Sequence, residues 1–129
     1  MSYHFSTYLD ASWEQAQERV RAALQNAGFG IVSEIDVTQT LRKKLGVDFR
    51  PYLILGACQP QYAQRAILAE PHIGTLLPCN VLLQQGDDGR IEVSAIDPIA
   101  SMQAVANPAL ADLAQEVREK LRQVITALS

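Results

Sequence analysis

The sequence predicts an α+β fold in which helices cover one face of a largely antiparallel β-sheet. Residues 3–9 and 29–37 alternate apolar and polar side chains, which is the period of half-buried strands. Two strands over 77–96 form a hairpin, and a long amphipathic helix follows them. Only the first two strands are joined by a convincing crossover helix. This arrangement favours an antiparallel sheet over a doubly wound one.

The first helix is bounded by clear signals at both ends. Ser12 followed by Gln15 is a capping box, in which each residue satisfies the backbone amide of the other. Gly28 supplies the left-handed position that ends the helix. Its apolar stripe comprises Trp13, Ala16, Val20, Ala23, Leu24 and Ala27.

A short helix is predicted over 38–45, with Thr38 as its N-cap and Gly46 at its end. Basic residues gather in its last turn and just beyond it. One interpretation is an anion-binding corner. The other is that these cations complement the negative end of the helix dipole and are solvated. The cluster consists of Arg42, Lys43, Lys44 and Arg50.

Residues 52–58 are apolar on both faces, which predicts a central strand covered on both sides at least in part. Pro60 suits the first turn of a following helix, because its missing amide hydrogen would be unpaired there anyway. Pro71 closes that helix. Its narrow apolar stripe comprises Ala63, Ala66 and Ile67.

The remaining elements complete a single predicted domain over residues 1–129. Strands over 77–84 and 90–96 flank a tight turn at 86–89, and Asp97-Pro98 ends the sheet. Asn107 and Pro108 then begin the last helix. The predicted order is β-α-β-(α)-β-(α)-β-β-α. The stripe of the last helix comprises Leu110, Leu113, Ala114, Val117, Leu121, Val124, Ile125 and Leu128.

Composition excludes several classes of function. The chain has 11 basic and 14 acidic residues, a net charge of −3, which argues against a nucleic-acid partner. No apolar run approaches the roughly 20 residues that span a bilayer, so no membrane partner is expected. No signal peptide is visible, and two cysteines do not form a secreted disulfide scaffold. We therefore expect a cytoplasmic protein.

The two cysteines are the most informative candidate site residues. Cys58 and Cys79 are 21 residues apart, which is not a zinc-ligand spacing. If their strands are antiparallel neighbours, the thiols come within disulfide or metal-ligand reach. If a crossover makes the strands parallel, the thiols lie at opposite strand ends. The sequence leaves both alternatives open.

The chemistry of these residues also has two interpretations. Cys58 precedes a helix N-terminus, where unpaired amides lower a thiol pKa and favour a reactive thiolate. Alternatively, both cysteines are small buried hydrophobes. His72 is either a soft-metal ligand beside Cys79 or a solvated loop residue. Asp97 either orients a ligand, acts as a base, or simply ends a strand.

Several segments together resemble a prokaryotic family known as domain of unknown function 302. The resemblance rests on Gly56-Ala57-Cys58-Gln59-Pro60 and Leu77-Pro78-Cys79-Asn80-Val81, with Gly28-Phe29, Leu45-Gly46 and Asp97-Pro98. It implies a curved antiparallel sheet backed by the first and last helices, similar to TATA-binding-protein-like folds, and a soluble homodimer. It also implies proximity of Cys58 and Cys79, but it supplies no activity.

These observations support one leading hypothesis and two alternatives. The leading hypothesis is a homodimer that binds a small ligand or a soft metal ion at Cys58, His72, Cys79 and Asp97, the first three being the metal ligands. The first alternative is a thiol redox protein in which Cys58 attacks and Cys79 resolves. The second is an interaction module with inert thiols. No motif of a known catalytic class is present, so no catalytic residue or cofactor is assigned.

Overall fold

The computed structural model describes residues 2–129 and confirms the α+β fold. The strands are β1 (His4–Leu9), β2 (Gly30–Asp36), β3 (Tyr52–Cys58), β4 (Cys79–Gln85) and β5 (Ile91–Ile96). The helices are α1 (Trp13–Asn26), α2 (Val37–Leu45), α3 (Pro60–Ala69), α4 (Pro98–Ser101) and α5 (Pro108–Leu128), with a 3₁₀ helix at Pro71–Leu76.

The five strands form one open sheet in the order β1-β5-β4-β3-β2. Every neighbouring pair is antiparallel, so the sheet is more regular than the sequence predicted. The first two strands lie at opposite edges, and α1 connects these edges instead of linking adjacent parallel strands. Within residues 2–129, no helix is long and apolar enough to cross a membrane.

The ends of α1 follow the predicted signals. The Ser12 Oγ accepts a hydrogen bond from the Gln15 amide at 3.1 Å, and Gln15 Oε1 accepts from the Ser12 amide at 3.2 Å. Gly28 has φ +90°, the left-handed conformation that a residue after a helix C-cap commonly adopts. These contacts set the length of α1, whose buried side chains are Ala16, Val20 and Leu24.

The last helix, α5, organises the core. All eight residues of its predicted stripe are buried, and the helix contacts α1, α3, α4, β1 and β5. Asn107 caps it by accepting from the Ala109 amide at 3.0 Å, and Pro108 follows as predicted. The stripe therefore joins three other helices to the sheet through one apolar surface.

The start of α2 differs from the prediction. Asp36, not Thr38, is the N-cap, and its Oδ1 accepts from the Gln39 amide at 3.0 Å. The hydroxyl of Thr38 instead donates to the Arg50 carbonyl at 2.7 Å and accepts from the Tyr52 amide at 2.9 Å. The helix begins as soon as β2 ends, so the carboxylate at that junction caps it. Its predicted end at Gly46 is confirmed, with φ +65°.

Two further differences concern the region around α3 and the helix α4. Ile67 was predicted to be in the apolar stripe of α3, but it is 46% exposed, and Ala66 is the buried residue of that helix. Neither the 3₁₀ helix nor α4 was among the predicted elements. Elements of six and four residues are too short to show a helical period in the sequence.

Candidate functional site

The candidate site lies where β3 ends beside the start of β4. The two strands are antiparallel, and Ala57 of β3 pairs with Cys79 of β4. The strands are therefore antiparallel neighbours, as the first alternative drawn from the sequence required, and the strand ends that carry the cysteines lie side by side. Cys58 lies one residue beyond this pair and is opposite Gly30 of β2.

This offset of one residue separates the two thiols. Successive side chains of a strand point to opposite faces of the sheet, so Cys79 shares its face with Ala57 and not with Cys58. Both cysteines are free thiols, and they make no close contact with each other. The antiparallel topology brings the strand ends together, but it does not join the sulfur atoms.

The environment of Cys79 favours its neutral thiol. Burial raises the pKa of this thiol from an ordinary 9.0 to about 11, and the charge of a nearby Cys58 thiolate adds to the effect. Cys79 is 9% exposed, whereas Cys58 is partly exposed at the strand end. Metal ligation and nucleophilic attack both require thiolate, so Cys79 is poorly suited to either role at neutral pH.

His72 does not join the cysteines. Its side chain lies on the 3₁₀ helix, is 92% exposed, and has Nδ1 3.5 Å from Glu70 Oε1. In the part of the chain that the structure describes, no three His, Cys, Asp or Glu side chains are grouped as a metal site would require. The three-ligand arrangement of Cys58, Cys79 and His72 expected from the sequence is therefore not formed.

Asp97 is engaged in the fold. Its Oδ1 accepts from the Ile99 amide at 3.0 Å and so caps α4, while its Oδ2 accepts from Arg118 Nε at 3.3 Å. The carboxylate thus ties the end of β5 to α4 and α5. This geometry supports the interpretation of Asp97 as a residue that ends a strand.

The basic residues around α2 are spread over separate contacts. The Arg50 guanidinium donates to Gln84 Oε1 at 2.8 and 3.0 Å and stacks on the Phe49 ring at 4.6 Å. Arg42 lies 3.7 Å from the Asp48 carboxylate, at the end of the helix. The second interpretation of this cluster, cations at a helix C-terminus and in solvent, accounts for these contacts.

An apolar cavity of about 260 Å³ lies at the strand ends that carry the two cysteines. The ends of β3 and β4 form one side of it, and α3 and α5 form the other. Both cysteines contribute to its wall, and no charged side chain does. Its apolar wall includes Phe29, Tyr62, Leu77, Met102 and Val117.

Gln59 is among the residues that line this cavity, and the amide end of its side chain lies close to Gly28. Its Oε1 is buried and is the one buried side-chain oxygen or nitrogen within residues 2–129 that has no hydrogen-bond partner. Gln59 occupies the N-cap position of α3, but its side chain makes no cap hydrogen bond. Buried polar atoms are normally paired, so an unpaired acceptor in a cavity wall marks a place for a hydrogen-bond donor.

The role of Gln59 was missed at the level of sequence. One signal was available, because short Ser, Thr, Asp or Asn side chains are preferred at an N-cap and glutamine is not. The cavity itself had no such signal. Its wall combines residues from before β2 and within it, from β3, α3, β4 and α5, and from the segments before β4 and between α4 and α5.

Comparisons with known proteins relate the chain to one family. The family model described as "Domain of unknown function DUF302" matches residues 5–128. A similar solved structure is the crystal structure of an uncharacterized conserved DUF302 protein from Bacillus stearothermophilus, with a TM-score of 0.92 and 26% sequence identity. The match covers 100% of both chains. No curated protein matches this chain.

Proposed function

The chain belongs to the DUF302 family, a domain family of unknown function, and we propose that it binds a small, largely apolar molecule in the cavity at the ends of β3 and β4. The ligand carries a hydrogen-bond donor that pairs with Gln59 Oε1. Cys58 and Cys79 form part of the apolar wall and do not react. The proposal keeps the location expected from the sequence and replaces His72 and Asp97 with Gln59.

The observation that carries this proposal is that Gln59, a residue lining the cavity, has a buried side-chain oxygen without a hydrogen-bond partner. A buried acceptor without a partner costs roughly 1–3 kcal/mol, so a bound hydroxyl or amide group that donates to it would recover free energy. Small-molecule sites are typically apolar hollows with a few polar groups that fix orientation. The cavity matches this description, with thiols and aliphatic groups around one amide.

A soft metal ion and thiol redox chemistry have less support as functions of the same site. Metal binding by cysteine requires thiolate, and the pKa of Cys79 is raised to about 11. A redox cycle requires the two sulfur atoms to meet, and the register of β3 and β4 directs their side chains to opposite faces. We therefore restrict the proposal to an organic ligand.

A matched pair of probes tests the proposal. Phenol donates a hydrogen bond, whereas anisole has a similar ring and no donor, and both are small enough for a cavity of this size. In calorimetric titrations, Gln59→Met should reduce the preference of the protein for phenol over anisole by about fivefold, because one hydrogen bond is worth about 1 kcal/mol. The control variant is Gln25→Met, an exposed glutamine of α1.

Two results would contradict this proposal. One is the absence of saturable binding of either probe by the wild-type protein. The other is an unchanged ratio of phenol to anisole affinity in Gln59→Met. A Gln25→Met variant that loses the preference to the same extent would show that the effect is not specific to the cavity.

We also propose that the protein forms a homodimer through the sheet face opposite the core, which agrees with the resemblance noted in the sequence. The pairing register places Ile35, Ile54 and Leu82 in one row across β2, β3 and β4 on this face. Ile35 is 50% exposed, and the other two are partly exposed. Such a row can pack against its own copy about a two-fold axis.

Sedimentation equilibrium tests the dimer. Ile54→Lys should convert the dimer to a monomer, because it places a charge at the centre of the apolar row. Leu68→Lys is the control, since Leu68 lies on α3 and is 78% exposed. A wild-type protein that is monomeric at all concentrations, or an Ile54→Lys variant that remains dimeric, would refute this interface.

A further inference from the structure

A second apolar hollow lies next to the proposed ligand cavity. It is a groove of about 350 Å³ between α4, the chain that follows α4, and the first turns of α5. Its apolar wall includes Ile99, Val105 and Leu110. Three uncharged amide side chains, Gln103, Asn107 and Gln115, also line it, and no charged side chain does. Ile99 is 40% exposed in this groove.

The cavity and the groove share part of their walls. Met102 and Ala114 line both hollows, so these two side chains form the partition between them. Ala114 presents only a methyl group there. Methionine is unbranched and has three rotatable side-chain bonds, so it can change its shape at little cost and open such a partition.

We propose that the cavity and the groove together bind one unbranched aliphatic chain that carries a hydroxyl or amide head group. This inference rests on the proposed function of the cavity and names its ligand class. The head group donates to Gln59 Oε1, and the chain passes Met102 into the groove. We call the combined hollow the chain-binding channel.

The volumes and the lining of the two hollows favour a long, unbranched ligand rather than a compact one. An apolar cavity of about 150 Å³ accommodates benzene, so by proportion the 260 Å³ cavity holds about ten carbon atoms. A longer chain must continue past Met102, where the groove offers another apolar surface.

The polar group at Gln59 also restricts the head group. A carboxylate would be buried without a cation, because no charged residue lines either hollow. A neutral donor avoids this cost. We therefore expect an alcohol or amide to bind and the carboxylate of the same chain length to bind much more weakly.

A homologous series of 1-alkanols with six to fourteen carbons tests the channel by calorimetry. Affinity for the wild-type protein should rise about fourfold for each added methylene and continue to rise beyond about ten carbons. In Met102→Trp the rise should end near ten carbons, because the indole ring fills the passage. Met102→Leu is the matched control, since it keeps an aliphatic side chain of similar volume and should retain the full rise.

Each outcome of this series decides the inference. A wild-type rise that stops near ten carbons, or a Met102→Trp variant that retains the full rise, overturns the chain-binding channel. If short alkanols bind in either of these two cases, the proposed function of the cavity still stands and only the channel is refuted. Absence of binding at every chain length refutes the cavity function as well. If Met102→Trp does not fold, Ala114→Leu narrows the same passage and should show the same early stop.

Discussion

Cys58 and Cys79 show how one step in strand register decides the chemistry of a residue. Both lie at strand ends beside the same cavity, yet Cys79 pairs with Ala57 and is buried while Cys58 lies one position further on. The resemblance implied that the two would be close. The strand ends are neighbours, and the side chains nevertheless point to opposite faces, so a disulfide is not formed.

The raised pKa of Cys79 predicts its reactivity. In a Cys58→Ser variant, the rate of alkylation of Cys79 by iodoacetamide should keep rising with pH well beyond pH 9, because only the thiolate reacts and burial, the larger cause of the raised pKa, remains. Quantitative mass spectrometry measures the rate. A plateau near pH 9 would show that Cys79 is not buried as described.

The same group links stability to pH. The folded state favours the protonated Cys79 thiol. Its contribution to the free energy of unfolding is therefore fully present below about pH 9 and is lost as the pH rises through about 11. Relative to Cys79→Ala, the wild-type protein should lose on the order of 2–3 kcal/mol of unfolding free energy across this range. Urea titrations at each pH measure the difference. Parallel pH profiles of the two proteins would contradict the linkage.

Gly56 lies on the face of β3 opposite to that of Ala57. Because it has no side chain, Ser33 and Pro78 can lie close to its backbone. A Cβ at this position would overlap Ser33 Oγ and would lie 2.6 Å from Pro78 Cγ. We expect Gly56→Ala to reduce the free energy of unfolding by about 1–3 kcal/mol, because the Ser33 hydroxyl can rotate away but the Pro78 ring cannot move without disturbing the start of β4. Gly74→Ala is the control, since no atom lies within 4 Å of its Cβ position. Equal stability of the two variants would contradict the overlap.

At the scale of single residues, the sequence correctly predicted those residues whose role depends only on near neighbours in the chain. Ser12, Gly28, Asn107 and Pro108 were predicted correctly, because capping depends on neighbours within a few positions. Gln59 was not identified, because its unpaired oxygen results from packing among distant segments. His72 and Asp97 carry suitable chemical groups, but their surroundings make one a solvated residue and the other a helix cap.

At the scale of elements, hydrophobic period predicted the long helices and the strands, while the 3₁₀ helix and α4 were missed. Strand β3 has the predicted bounds, and α1 and α5 have the predicted apolar stripes. The exception among the predicted helices is α2, whose cap was misassigned. Since none of the nine residues of α2 is buried, its first residues carry little packing signal.

The exposure of α2 makes it depend on its cap. A short helix without a buried face is marginally stable in water, so the Asp36 cap should account for much of its persistence. Asp36→Ala should reduce the hydrogen-exchange protection of the α2 amides by about fivefold, which corresponds to about 1 kcal/mol. The strand amides of β3 to β5 should be unaffected. Gln39→Ala, on the same helix, is the control.

The opposite pattern would refute this interpretation. If Asp36→Ala lowers protection in β4 and β5 as much as in α2, then α2 unfolds together with the whole domain and is not a separate, weakly held element. Mass-spectrometric exchange of peptides that cover residues 37–45 and 79–96 separates the two cases.

At the scale of the whole molecule, the sheet topology determines the relative direction of β3 and β4, which no local sequence pattern could predict. The sequence left the relative direction of β3 and β4 open, and the all-antiparallel order decided it. The core lies on the sheet face that carries Leu55, Val81, Leu83 and Val93. The cavity and the adjacent groove exist only because α3, α4 and α5 pack on that side, so composition and spacing could not reveal them.

The position of α5 also predicts how the molecule unfolds. Leu121 is fully buried on this helix, which contacts three other helices and two strands, so its loss should weaken all of them together. Leu121→Ala should lower the free energy of unfolding by about 2–5 kcal/mol. Leu68→Ala is a matched control, since that leucine is 78% exposed and its loss should change the free energy by less than about 0.5 kcal/mol.

Two optical probes decide whether the chain unfolds as one unit. Trp13, the single tryptophan, reports on α1 by fluorescence, and far-ultraviolet circular dichroism reports on all helices and strands. In urea titrations of Leu121→Ala, both probes should shift to a lower midpoint by the same amount, because α1 and the sheet are joined through α5. A midpoint that shifts for circular dichroism but not for Trp13 would show that α1 unfolds independently, and the predicted single domain would then be wrong.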